Sequence, residues 1–377
     1  MEMKSVTLDN VVEFVMGQAP HSSTYNFEGI GELLVKAGDF GYFFPEPKEY
    51  TSSPLVFGRD TDVFICVVGA TSGKVNLGIN ASITRSIAAL RPKDCIYQKY
   101  LFYFLKNDYQ LLNKRASGSA QGILNKPNLS RVSLPLPDLK TQQKVAGILE
   151  QVDTARQKRK QANQLTEQFL QSAFIEMFGD PVKNEKGWEV KKLSEVTTKI
   201  TDGVHLKPEY TNKGVPFISV KDITTGALKF DKCKYISKEA HEEYIKRCKP
   251  EFEDILYTKV GATYGRPAIV NVKKEFSLYV SVCLIKPDRN KIHPTYLCEF
   301  LRTNYAKWQA DQSISGIGVP DLHLIEIKGF KIPLPPLPLQ QKFAALVEKV
   351  EKLREKQRQS EIELENLFGS LMQHYFG

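Results

Sequence analysis

At 377 residues the chain can hold two or three domains with cores of their own. A formal net charge of +9 and an isoelectric point near 9.0 suit a polyanionic partner. No apolar run is long enough to span a bilayer, which excludes membrane-spanning helices, and MEMKSVTLDN has no apolar leader character. None of the six cysteines forms a CxxC pair and no histidine pair has ligand spacing. A zinc site is therefore not expected, and reduced, mostly buried thiols in a cytoplasmic protein are.

In chain order, the first globular segment covers residues 1–134. It carries strand-like runs at 62–68 (DVFICVV) and 83–90, punctuated by Gly, Pro, Asn and Asp, and a short helical pattern at 97–107 (YQKYLFYFLKN). A helical segment follows at 135–180, behind the proline-rich PLPDLK. A second globular segment covers 181–332 and repeats the order of the first. GATSGK at 69–74 returns as GATYGR at 261–266, SIAALRP at 86–92 as SVCLIKP at 281–287, and YLFYFLKN at 100–107 as YLCEFLRT at 296–303. The offsets of 192, 195 and 196 predict one scaffold with loops of different length, as expected where two copies carry different recognition surfaces. A second helical segment occupies 333–377, behind PLPPLPL.

The two helical segments align without a gap at an offset of 198, with about 17 of 45 positions identical, among them Gln142/Gln340, Gln143/Gln341, Lys144/Lys342 and Arg156/Arg354. The proline-rich stretches are expected to mark hard boundaries. Each helix should run for about 38 residues, or about 57 Å. Their apolar positions approach an a/d seam: Val145, Ile148/Leu149, Val152, Ala155, Ala162, Leu165, Phe169, Ala173 and Met177 in the first, and Phe343, Leu346/Val347, Val350, Leu353, Leu364, Leu367/Phe368 and Leu371 in the second. Both seams turn polar at mid-length, at Arg159, Gln357 and Ser360. Such narrow seams favour an antiparallel coiled coil, with separate packing of each helix on its own globular segment as the alternative. The expected class is α+β: two α/β segments joined and followed by two long helices, in a pseudo-twofold tandem repeat.

Apparent catalytic motifs do not hold together. VVGATSGK has three residues between Gly69 and Gly73 where a Walker loop needs four, and Val75 stands where Ser or Thr should follow the lysine. PDLHLIEIK brings acids too close together in sequence for facing strands around one Mg²⁺. No GxGxxG follows a strand, and the six histidines are scattered. A self-sufficient DNA methyltransferase is thus disfavoured, and so is a scaffold without a DNA role, which would need neither the basic balance nor two divergent loop sets.

The residues suited to contacting DNA lie in loops. The first segment offers Thr71, Ser72 and Lys74, then the polar run with Lys114, Arg115, Ser117, Ser119 and Gln121. The second offers Thr201, His205, Lys207, Lys221, Thr263, Tyr264 and Arg266, then Ser313 and Ser315. Arg and Lys serve phosphates or guanine, Gln serves adenine, and Ser or Thr serves either.

The paired PLP…QQK helix starts, the MFGDP…GWEVKKLSEV junction at 177–196, TDGVHLKPEY and the GAT(S/Y)G(K/R) loops together resemble the specificity subunit of type I restriction–modification enzymes, over essentially the whole chain. The resemblance implies a non-catalytic, full-length subunit with two target-recognition domains, each reading half of a bipartite double-stranded DNA site. It implies helices that set the spacer and dock two methyltransferase (modification) subunits, and restriction subunits that join as endonuclease and translocase. S-adenosylmethionine, ATP and Mg²⁺ would belong to those partners, with no cofactor or metal in this chain. Gln142, Gln143 and Lys144, with Gln340, Gln341 and Lys342, are expected to support the junction between helix and domain, with direct contact to a partner subunit as the alternative.

Overall fold

The computed structural model describes residues 5–117, 123–314 and 319–377. The chain divides into two compact units, Met1–Gln161 with Arg358–Gly377, and Ala162–Gln357. Each unit therefore takes part of each long helix, Leu139–Phe178 and Leu337–Phe376, which have 40 residues apiece. No helix among the described residues is long and apolar enough to cross a membrane.

The first unit is built on a four-stranded antiparallel sheet ordered Val12–Met16, Ile87–Pro92, Val63–Cys66, Val75–Leu77. Val63, Phe64, Ile65 and Cys66 are all buried because the strand is covered on both faces. One face meets the helix Gln98–Asn107 and the long helices; the other meets a small core around Val35, Phe40 and Ile83. A five-stranded sheet, with Glu32–Val35 and Ala81–Ile83 side by side and parallel, covers that second core. The run 83–90 thus contains a turn: Ile83 ends one strand and Ile87 begins another.

The second unit repeats the plan. Its four-stranded sheet is ordered Thr197–Asp202, Val282–Pro287, Ile255–Thr258, Pro267–Ile269. The helix Pro294–Leu301 packs on one face, and on the other face a separate core gathers Ile218, Leu256, Phe276 and Leu284. A three-stranded sheet ordered Lys234–Ile236, Val215–Ile218, Ser277–Leu278 stands where the first unit has five strands.

The proline-rich stretches are not purely breaks. Ser133–Pro135 and Lys331–Leu334 are strands, paired antiparallel with Ser5–Thr7 and Glu189–Lys192. Proline is accepted there because a two-stranded pair leaves one backbone edge without ladder partners. Tyr100 Oη donates to the Pro135 carbonyl at 2.9 Å, and Tyr296 Oη to the Pro333 carbonyl at 2.6 Å. Just beyond, Gln142 and Gln340 are wholly buried. Gln142 accepts from Tyr97 N at 2.8 Å and donates to the carbonyls of Cys95 at 3.0 Å and Pro137 at 2.8 Å. Gln340 accepts from His293 N at 2.8 Å and donates to the Pro335 carbonyl at 2.7 Å. These glutamines join helix to domain, whereas Gln143, Lys144, Gln341 and Lys342 are exposed.

Within each unit the two helices run antiparallel. In the first, Val145, Ala146 and Leu149 share a core with Phe368 and Met372; in the second, Leu170, Phe174 and Phe178 share one with Phe343, Val347 and Val350. The expected seam shifts in places. Leu165, Phe169 and Leu353 are exposed, and of the pair Leu367/Phe368 it is Phe368 that is buried. Each helix must face its globular domain as well as the other helix, so the buried stripe moves to Leu170, Phe174 and Phe178, of which the two phenylalanines pack on Tyr296 and Phe343. At the polar middle of the seam Gln357 Nε2 donates to Thr166 Oγ1 at 3.0 Å in a buried bond, whereas the buried Arg159 Nε has no hydrogen-bond partner among the described residues. After Phe178 the chain turns at Gly179, and Trp188 Nε1 donates to the Phe178 carbonyl at 2.8 Å, closing the end of the helix.

Candidate nucleic-acid interface

In each unit the strand Val63–Cys66 or Ile255–Thr258 runs out into the GAT loop. Gly69 and Gly73 have φ of +80° and +92°, and Gly261 and Gly265 have +86° and +84°, a region open to glycine and costly for other residues. The loop amides are turned inward. Ser72, Gly73 and Lys74 donate to the carbonyls of Gly69, Cys66 and Thr71, and Tyr264 and Gly265 to those of Gly261 and Thr258. A phosphate-binding loop needs free amides, so the geometry disfavours a nucleotide site here.

Each loop is fixed to the second helix of the short helical pair. In the first unit Asn113 Nδ2, on Tyr109–Ser117, donates to the carbonyls of Ala70 at 3.1 Å and Ser72 at 2.9 Å. In the second, on Asn304–Gln312, Asp311 accepts from Tyr264 Oη at 2.5 Å, and the Lys307 ammonium lies 3.9 Å from the centre of the Tyr264 ring. Two neighbours of Lys307 on the same helix, Tyr305 and the exposed Trp308, stack at 6.0 Å. The chain that follows the polar run returns to the same place. Leu124 N donates to the Val67 carbonyl at 2.8 Å, and Leu322 N to the Lys259 carbonyl at 2.8 Å. The GAT loop and the end of the polar run therefore converge in both units.

The expected contact residues divide accordingly. Thr71, Lys114, His205, Lys207, Lys221 and Arg266 are exposed. Thr263 and Tyr264 are half-buried, and Tyr264 is engaged by Lys307 and Asp311. Arg266 Nη1 donates to the Thr224 carbonyl at 2.6 Å, which draws the turn carrying Lys221 towards the GAT loop. Four others are engaged within the fold. Ser72 is wholly buried, with its backbone holding the loop. Lys74 is half-buried and donates to the Phe40 carbonyl at 2.5 Å. Thr201 is buried within its strand opposite Leu284. Ser313 Oγ donates to the Gln309 carbonyl at 2.9 Å, behind the helix end. Arg115 and Ser117 stand on the helix Tyr109–Ser117, while Ser119, Gln121 and Ser315 lie outside the described residues.

Sequence reasoning singled out Asp202, His205 and Asp321 but missed Arg247, Lys259 and the charged group they form together beneath this face in the second unit. Asp202, Lys259 and Asp321 are linked by ion pairs, and Arg247 and His205 stand over Asp202. Asp321, in the acidic segment that mimics a nuclease motif, is thus paired with Lys259. No cluster of three or more His, Cys, Asp or Glu residues able to hold a metal occurs among the described residues.

Comparison with known proteins agrees with this architecture. The specificity subunit of the type I restriction enzyme MjaIX from Methanocaldococcus jannaschii is 26% identical over 289 residues, covering 71% of this chain and 66% of that protein, just under two thirds of its length. The EcoBI specificity subunit from Escherichia coli is 24% identical over 375 residues, covering 92% of this chain and 78% of its own. The crystal structure of a type I restriction–modification S subunit from M. genitalium shares the fold, with a TM-score of 0.63 at 16% identity over 100% of this chain and 96% of that one. The family described as "Type I restriction modification DNA specificity domain" matches twice, at residues 2–167 and 185–364, once for each copy of the repeated plan, and the chain belongs to that family.

Proposed function

We propose that this chain is the DNA-reading subunit of a type I restriction–modification complex, working in the cytoplasm without catalysis of its own. Each globular domain reads one half of a bipartite site in double-stranded DNA. The long helices set the unread spacer and dock two methyltransferase subunits, to which endonuclease and translocase subunits add. S-adenosylmethionine, ATP and Mg²⁺ then act on those partners.

The observation that carries this reading is one framework repeated with different loops. The buried glutamines, the tyrosine-to-proline bonds and the loop-to-helix junctions recur, while the side chains presented at the loops do not. Ser72 and Lys74 in one unit stand where Tyr264 and Arg266 stand in the other, and Asn113 ties the first loop to its helix where Lys307 and Asp311 tie the second. Two readers on a common framework give an asymmetric, two-part site. The exposed cations supply the phosphate attraction that any such reader needs.

Exchange of residues 187–331 for the matching part of a relative, followed by methylome sequencing of cells carrying the chimaera, tests this. One half of the methylated motif should change and the other should stay. A change in both halves together would show that the domains are not independent readers. Methyl transfer by the purified chain alone would overturn the non-catalytic part.

A further inference from the structure

In the second unit, segments far apart in sequence meet at one carboxylate. Asp202 ends the strand Thr197–Asp202 with its side chain only 4% exposed. Its Oδ1 accepts from Arg247 Nη2 at 2.6 Å and lies 3.3 Å from His205 Nε2. Its Oδ2 lies 3.6 Å from Lys259 Nζ, which is itself 3.4 Å from Asp321 Oδ1. Anions and cations are layered: Asp202 and Lys259 are inside, whereas the Arg247 and His205 side chains are 55% and 60% exposed. Lys199 Nζ fixes the backbone below Arg247 by donating to its carbonyl at 2.6 Å.

We propose that Asp202 is a positioning residue that aims the Arg247 guanidinium at a base in the half-site read by the second unit; this rests on the proposed DNA-reading function. A guanidinium has five donors in a plane, and the contact with Asp202 uses one. The others remain for guanine O6 and N7, the major-groove pattern that arginine matches best. Tethering also removes rotamer freedom that a loose arginine would lose on binding. Lys259 offsets the charge of the buried carboxylate from behind, so Asp202 need not fold over Arg247 completely.

The first unit lacks the device. Strand register places Met16 opposite Ala88 where Asp202 is opposite Cys283, and Val67 N bonds to the Ser86 carbonyl as Lys259 N does to that of Ser281. Met16 and Val67 thus replace Asp202 and Lys259. Only one half-site should depend on a buttressed arginine.

The test is selection of bound sequences from a randomised duplex library by the full chain assembled with its modification subunits. Wild type, Asp202→Asn, Arg247→Ala and the double variant are compared, with thermal melting as a check on folding. Both single variants should lose about tenfold in preference at the same base pair. The double should lose no more than Arg247→Ala, and the other half-site should be unaffected. Wild-type preference retained in Asp202→Asn, or losses at different base pairs, overturns the assignment. If Asp202→Asn does not fold, Arg247→Ala at its exposed position decides: unaltered preference overturns it. A wild-type complex that enriches no sequence sinks the functional reading and this one together, whereas an enriched motif that all variants keep sinks this one alone.

Discussion

Arg156 grips Glu365 with two prongs, Nε at 3.0 Å and Nη2 at 2.5 Å. The same contact is made again 198 residues along, where Arg354 Nη2 meets Glu167 at 2.5 Å. Arginine and glutamate have exchanged helices between the two units, since 354 − 156 and 365 − 167 both equal 198. The sequence repeat is therefore also a repeat of contacts between helices. In the first unit the arginine belongs to a larger network: Asp153, wholly buried, accepts from Arg156 Nη1 at 2.9 Å, Lys106 Nζ at 2.6 Å and Tyr42 Oη.

Asp153→Ala should lower the stability of the chain by about 3 kcal/mol, because it leaves a half-buried lysine and an arginine without their shared, wholly buried carboxylate. Glu365→Gln should cost less than about 1 kcal/mol, since Glu365 is half in solvent and Arg156 keeps both Asp153 and the Phe368 ring. Urea denaturation of the two variants measures the difference. Equal losses would mean that the network does not centre on Asp153.

Arg266→Ala and Lys74→Ala should part company. Arg266 is exposed, so its loss should weaken DNA binding. If it contacts phosphate, the log–log salt slope should shrink by about one unit for all sequences. Lys74 is turned to the Phe40 carbonyl, and its loss should cost about 1–2 kcal/mol of stability with little change in salt slope. Titration of duplex DNA at several salt concentrations, with melting curves, separates the two. An equal fall in salt slope would place Lys74 on the DNA surface after all.

Thiol chemistry should follow burial. Cys95 is exposed, and Cys66, Cys233, Cys248, Cys283 and Cys298 are buried. Burial pushes the Cys66 thiol up to about 11 and those of Cys248 and Cys298 up to about 12, and raises Cys283 further still. An aromatic disulfide reagent at neutral pH should titrate one thiol rapidly in the folded chain and the remainder only in denaturant. Loss of the fast phase in Cys95→Ser identifies it; a second fast thiol would contradict the packing.

An insertion of four residues near positions 157–161 of the first long helix adds about 6 Å of rise. On the proposed function the base pairs read should stay the same, and the unread spacer should lengthen by one or two base pairs, at about 3.4 Å each. The seam also rotates by about 40°, so some stability should be lost. The methylated motif in cells carrying the insertion is the readout, and an active variant with an unaltered spacer removes these helices as the ruler.

The long helices and the doubled plan were legible because a repeat at constant offset is a property of the chain itself. The junction role of Gln142 and Gln340 was legible for the same reason, but not that Gln143, Lys144, Gln341 and Lys342 beside them would be exposed. The seam was less so: Leu165 and Phe169 fit a heptad, yet the demand to pack on Tyr296 and Phe343 moves the stripe to Phe174 and Phe178. At the interface, composition identified the GAT loops but not which side chains turn inward. Ser72 and Lys74 differ from their neighbours only through the backbone bonds around them. The group at Asp202 was hidden because Arg247, Lys259 and Asp321 are 45, 57 and 119 residues away from it and are brought together only by the folded chain.

The closure of the helix by Trp188 and the stack of Trp308 on Tyr305 give the molecule an optical asymmetry. The chain has two tryptophans, and both belong to Ala162–Gln357. Emission excited at the indole band therefore reports on one half of a duplicated protein and is silent about the other. Circular dichroism, by contrast, sums over both. Where the two signals fail to coincide during denaturation, their separation measures directly how far evolution has let the twin halves drift apart in stability.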